Sequence, residues 1–117
     1  MPTFHHVNLA VPPERIDEQI AFLTGVLGLS RVELTEEERA RGVRWFAFDG
    51  GGQVHLSLDA DFVPSRAAHV AVEVEDPQDI ARRAEAAGLS PTAGTGNPQI
   101  VLFTDPSGNR WELRPSA

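Results

Sequence analysis

The sequence contains no cysteine and no tyrosine. Without cysteine there are no disulfides and no thiolate chemistry, a composition that fits a cytoplasmic protein. No segment approaches the roughly 20 apolar residues needed to cross a bilayer. Met1-Pro2-Thr3-Phe4 also lacks the basic and apolar regions of a secretory signal. Positive charge is scarce and scattered: Lys and Arg number 10 against 17 Asp and Glu, for a net charge of -7. Nucleic-acid binding is therefore not expected, since phosphate contacts need clustered basic side chains, and an anionic membrane surface is disfavoured too. The glycine run Gly50-Gly51-Gly52 opens no helix and precedes no Lys-Ser/Thr, so it reads as a hairpin turn rather than a phosphate loop.

What is present is enough for one domain: 117 residues, 41% apolar, can bury a core without covalent staples. The chain is organised around Asp105-Pro106-Ser107-Gly108-Asn109, a turn between Ile100-Val101-Leu102-Phe103 and the alternating run Arg110 to Arg114. Trp111 and Leu113 fall on one face of that last strand, and Arg110, Glu112 and Arg114 on the other. Earlier, Phe4 to Val11 alternates as a half-buried strand. Pro12-Pro13 then opens a helix whose apolar stripe is Ile16, Ile20, Leu23 and Leu27, capped by Gly28. Strands are expected over 29–34, 43–48 and 53–58, with a charged bend or helical turn at 35–42. The pattern then restarts. His69 to Val74 alternates; Asp76-Pro77 caps a helix with Ile80, Ala84 and Ala87 on its apolar stripe; Gly88 ends it. A weak strand over 90–95, a turn at Gly96-Asn97-Pro98 and the final hairpin complete a second β-α-β-β-β set.

This is an internal repeat. His6-Val7 matches His69-Val70, Gly28-Leu29-Ser30 matches Gly88-Leu89-Ser90, and Asp49-Gly50-Gly51-Gly52 matches Asp105-Pro106-Ser107-Gly108. His6 and His69 are then equivalent, as are His55 and Glu112, each on the face opposite its strand's apolar residues. If two curved sheets face each other, these four side chains converge in one cavity. Three imidazoles and a carboxylate suit a divalent transition ion (Zn, Ni, Co or Fe) better than calcium or magnesium. The alternative is a degenerate repeat that kept the residues but binds no metal. His5 is expected to point away from this face. Trp45, Phe46 and Phe48 read as core, or as the lining of a ligand cavity. Arg44, Arg66, Arg110 and Arg114 are able to hold an anion but read more simply as solvated.

The stretches His6 to Val11, Val26-Leu27-Gly28-Leu29, His69 to Val74 and Asp105 to Leu113 together resemble the vicinal oxygen chelate superfamily, the group of glyoxalase I, bleomycin-resistance proteins and extradiol dioxygenases. The resemblance implies an α+β fold of two βαβββ modules forming a cupped, mostly antiparallel sheet. It implies a single glyoxalase-like domain over 1–117, made of module 3–58 and module 67–114 joined by connector 59–66. Metal ligands at His6, His55, His69 and Glu112 are implied, with Glu112 also the catalytic base. The implied activity is that of a lyase or isomerase working through a metal-stabilised enolate or a substrate with vicinal oxygens. The alternatives are a metal-free antibiotic- or aromatic-binding protein and an Fe(II) extradiol-type dioxygenase. Those dioxygenases use a catalytic Tyr, which this chain lacks. Glyoxalase I commonly has Arg at the place of Ala10 and a carboxylate or amide at that of His55, and fosfomycin-modifying relatives carry Thr at that of Asn8. A small-molecule substrate and a homodimer are the expected partners, with modules pairing within or between chains.

Overall fold

Alternating residues build each sheet, and a parallel pairing starts it. In the computed structural model, which describes residues 1–116, β1 (His6–Val11) lies parallel to β4 (Gln53–Leu58), with Asn8 opposite His55. A parallel pair needs a crossover, and the segment after Pro12 supplies it as a 3₁₀ turn (Pro13–Arg15), α1 (Ile16–Ala21) and a π-helical continuation (Phe22–Val26). β2 (Ser30–Arg31), α2 (Glu36–Ala40) and β3 (Arg44–Ala47) follow, and the first sheet has the order β1-β4-β3-β2. α2 is short but well started: Thr35 and Glu38 satisfy each other's backbone N–H groups in a capping box.

The second half repeats the scheme. β5 (His69–Val74), α3 (Pro77–Ala86), β6 (Thr92–Gly94), β7 (Asn97–Thr104) and β8 (Arg110–Pro115) form a sheet of order β5-β8-β7-β6. β5 and β8 are parallel, and Ala71 stands opposite Glu112 as Asn8 stands opposite His55. The equivalence inferred from sequence therefore holds at the level of strand register. Asp76 caps α3 by accepting from the N–H groups of Gln78 and Asp79. Gly88, at φ 87°, closes it while Leu89 N–H bonds Ala84 O and Gly88 N–H bonds Glu85 O. By contacts the chain divides into two compact units, Met1–Phe62 and Val63–Ala117, each with its own sheet and core.

Several local expectations need correction. The first helix buries Gln19, Phe22, Leu23 and Val26, whereas Ile16, Ile20 and Leu27 are only half-buried. Its apolar stripe is wide, and the face carrying Phe22 and Val26 takes the core. The strand expected over 29–34 shrinks to Ser30–Arg31, and the weak strand over 90–95 to Thr92–Gly94. The turn placed at Gly96-Asn97-Pro98 falls earlier, because Asn97 already pairs with Gly94. A register shift at Ala93/Gly94 accommodates Pro98, which has no N–H to give the ladder. Ala87 is exposed at the end of α3, and Pro77, Ile80, Ala81 and Ala84 make the buried face.

Candidate functional site

The Asp105 turn aims β8. Asp105 is only 4% exposed, and its Oδ1 accepts from the N–H groups of Ser107 (3.0 Å) and Asn109 (2.9 Å). Its Oδ2 accepts from the Trp111 indole at 3.0 Å. With Trp111 and Leu113 locked into the core at 1% and 0% exposure, Glu112 is forced onto the opposite face. There it is half-buried, and the adjacent strand brings His69 alongside, with Nε2 3.7 Å from Glu112 Oε1. Both line a cavity of about 490 Å³ in the second unit, together with Arg66, Arg110, Ser90, Thr92 and Thr104.

Each of the two side chains is oriented by a further bond. His69 Nδ1 lies 3.0 Å from Ala67 O, and a carbonyl only accepts, so Nδ1 is the donor and Nε2 is the nitrogen turned toward Glu112. Glu112 Oε2 accepts from Arg114 Nη1 at 2.8 Å, which leaves Oε1 as the free oxygen. Two donors at about 2.1 Å from one ion stand roughly 3.0–3.4 Å apart, so a small adjustment of the 3.7 Å pair brings both onto a cation. The pair thus fits two positions of a divalent transition ion. Among the described residues, no group of three or more His, Cys, Asp or Glu side chains is arranged to hold a metal.

In the first unit the histidines gather differently. The His55 ring is stacked between Trp45 (centroids 4.5 Å apart, 15° between planes) and His6 (3.8 Å, 13°). Trp45 is its direct cross-strand partner. His55 Nε2 donates to Gln53 Oε1 at 2.8 Å. Near-parallel planes cannot both contain one ion beside them, so for His6 and His55 to share a metal one ring must turn out of the stack. Burial, then the nearby His6 and His5 charges, lowers the His55 pKa to about 4. The ring is therefore neutral at pH 7, as a metal ligand requires. His5, expected to point away, lies on this side. Its Nδ1 is 2.8 Å from His6 Nδ1, and its ring meets His6 and His55 edge-on. His5 stands just before the first paired residue, its carbonyl accepting from Gln53 N–H, where strand alternation constrains the side chain least. Phe46 is core at 1% exposure, whereas Trp45 is on the His55 face and Phe48 is half-buried.

Three contacts had no sequence signal strong enough to single them out: the Ala67 carbonyl to His69, the Arg114 guanidinium to Glu112 and the Gln53 amide to His55. Gln53 and Arg114 lie two residues from His55 and Glu112, on the same faces, so the strand period names them as neighbours. Only side-chain rotamers decide that they bond.

Residues 3–113 match the family model of the Glyoxalase/Bleomycin resistance protein/Dioxygenase superfamily. No curated protein matches the sequence at a significant level. Among solved structures, the chain is similar to a protein assigned to the glyoxalase family from Bacillus anthracis, with 25% identity and a TM-score of 0.79, covering 100% of this chain and 97% of that one. It is also similar to a glyoxalase/dioxygenase from Nostoc punctiforme (22% identity, TM-score 0.77, 98% and 91% covered). A third is the fosfomycin resistance protein FosX from Listeria monocytogenes (15% identity, TM-score 0.77, 100% and 93% covered). At 22% and 15% identity the last two likenesses concern the fold.

Proposed function

Because the chain belongs to the Glyoxalase/Bleomycin resistance protein/Dioxygenase superfamily, we propose that it is a small metal-dependent enzyme of glyoxalase type, a lyase or isomerase acting on a small molecule. Members of the superfamily commonly use divalent metals. The observation that carries the reading is the His69–Glu112 pair at a cavity rim, each partner oriented by a bond to its other end. When bound, the ion would supply Lewis-acid stabilisation of negative charge on adjacent substrate oxygens. His69 would hold it through Nε2. Glu112 would hold it through Oε1 and, on loosening, take a proton from the neighbouring substrate carbon at that oxygen. Arg114 donates to Oε2, so Oε1 is the oxygen open to take the proton.

His6 and His55 are proposed as the remaining donors on the ground of repeat equivalence, supplied by the first module of a partner chain in a homodimer. His55 is the member whose present bonds must change. We also place the protein in the cytoplasm, on its lack of cysteine. The Trp45–His55–His6 stack supports a second reading: an aromatic ligand held by stacking in a metal-free binding protein of bleomycin-resistance type.

Elemental analysis of purified and metal-reconstituted protein separates the two. The enzyme reading expects about one divalent transition ion per site. His69→Ala and Glu112→Gln should lose it and His5→Ala should keep it. Equal content in all three variants refutes the site. Mixing His6→Ala with Glu112→Gln chains tests the pairing: restored metal binding supports sites shared between chains, and no restoration contradicts them.

A further inference from the structure

All ten basic residues of the chain are arginines, and the structure gives eight of them a partner. Arg15, Arg41, Arg82, Arg83 and Arg114 are in ion pairs with carboxylates. Arg39 and Arg44 donate to backbone carbonyls, of Leu34 and Gly42, and Arg31 lies over the Phe46 ring. Arg66 and Arg110 remain, with no side-chain hydrogen bond or ion pair among the described residues. These two line the same cavity, the one that holds His69 and Glu112.

Their placement is fixed by the backbone. Arg110 stands directly opposite His69 on one side and Thr104 on the other, so the three form a row across the sheet on the cavity face. Glu112, two residues along the same strand, would be the natural partner of Arg110. Its Oε2 instead takes Arg114 at 2.8 Å, and Arg110 makes no ion pair with it. Arg66 comes from the segment before β5, which is pinned by Ser65 Oγ accepting from the N–H groups of Ala67 (3.3 Å) and Ala68 (3.0 Å). An acidic chain of net charge -7 repels anions in general, so two guanidinium groups in one concave site create a local exception.

We propose that the second module's pocket selects a small organic acid whose carboxylate or phosphoryl oxyanion is held by Arg110 and Arg66, beside His69 and Glu112. Guanidinium groups match both head groups through paired N–H donors. The volume of about 490 Å³ suits one small molecule and not an extended polyanion. The proposal names the substrate class for the enzyme described above and rests on that reading only for the chemistry at Glu112. The anion subsite stands or falls separately.

The test is calorimetric titration of the full chain, kept metal-free in chelator, with benzoate, phenyl phosphate and the neutral benzamide. At least one acid should bind with one-site stoichiometry and benzamide should not. Arg110→Gln and Arg66→Gln should each weaken acid binding about tenfold or more. Arg82→Gln removes the same charge from α3 and should change it less than about twofold. The tighter acid then identifies the head group. Binding of benzamide as well as the acids, an equal loss in Arg82→Gln, or no acid binding overturns the proposal. With metal absent throughout, those failures leave the metal site untouched, and a protein that takes up no metal but binds acids through Arg110 refutes only the enzyme reading.

Discussion

Replacing Asp105 with Ala tests whether the β7–β8 turn sets the geometry of the site. The carboxylate is buried and accepts from the N–H groups of Ser107 and Asn109 and from the Trp111 indole, all between 2.9 and 3.0 Å. Alanine leaves these donors facing a void. At the lower end of the roughly 1.5–3 kcal/mol per bond to a charged acceptor, the loss is about 4–5 kcal/mol. Against a typical total of about 5–15 kcal/mol, that is a large fraction. The midpoint of thermal unfolding should fall by roughly 10–20 °C for a chain of this size. Trp111→Phe removes only the indole donor and some packing and should cost about 1–2 kcal/mol. Urea unfolding followed by far-ultraviolet circular dichroism measures both. A loss below about 1 kcal/mol for Asp105→Ala refutes the argument. A Trp111→Phe loss equal to that of Asp105→Ala shows that ring packing, not the carboxylate, holds the turn.

Gly88→Ala meets no neighbouring atoms, so the cost is the positive φ of 87° alone, about 1–2 kcal/mol in the same unfolding assay. Arg114→Gln should leave the fold intact but weaken metal affinity about 10- to 100-fold, because it frees the outer oxygen of Glu112. The His55 ring should titrate near pH 4 by NMR. Its folded pKa lies below the unfolded value of 6.5, so the unfolded chain binds the proton first as pH falls. The stability associated with the neutral ring is complete above pH 6.5 and is lost between 6.5 and 4. A His55 resonance titrating near 6.5 contradicts the stacked, buried placement.

The duplicated architecture was legible because it is written in period-two alternation and in turns whose glycines have positive φ, such as Gly28 and Gly88. Those features act locally and survive in sequence. The face of the first helix was less so: Ile16, Ile20 and Leu27 are as apolar as Phe22, Leu23 and Val26, and only packing chooses between overlapping stripes. At the site, period two placed Glu112, Arg110 and Arg114 together but not the rotamers. Sequence spacing makes Arg110 and Arg114 symmetric neighbours of Glu112. The fold pairs one and leaves the other open to the cavity. His5 escaped because it stands just before the first paired residue, where alternation is weakest. The Asp105 anchor was visible as a turn residue, but its bond to Trp111 depends on the register of the hairpin.

The central claim is that His69 and Glu112 hold a metal ion, and X-ray absorption at the metal edge of zinc- or cobalt-loaded protein tests it most directly. The account predicts nitrogen and oxygen donors alone at about 2.0–2.1 Å, with an imidazole signature that weakens in His69→Ala and an altered oxygen shell in Glu112→Gln. A coordination shell unchanged in both variants, or no bound metal in the unaltered protein, contradicts it.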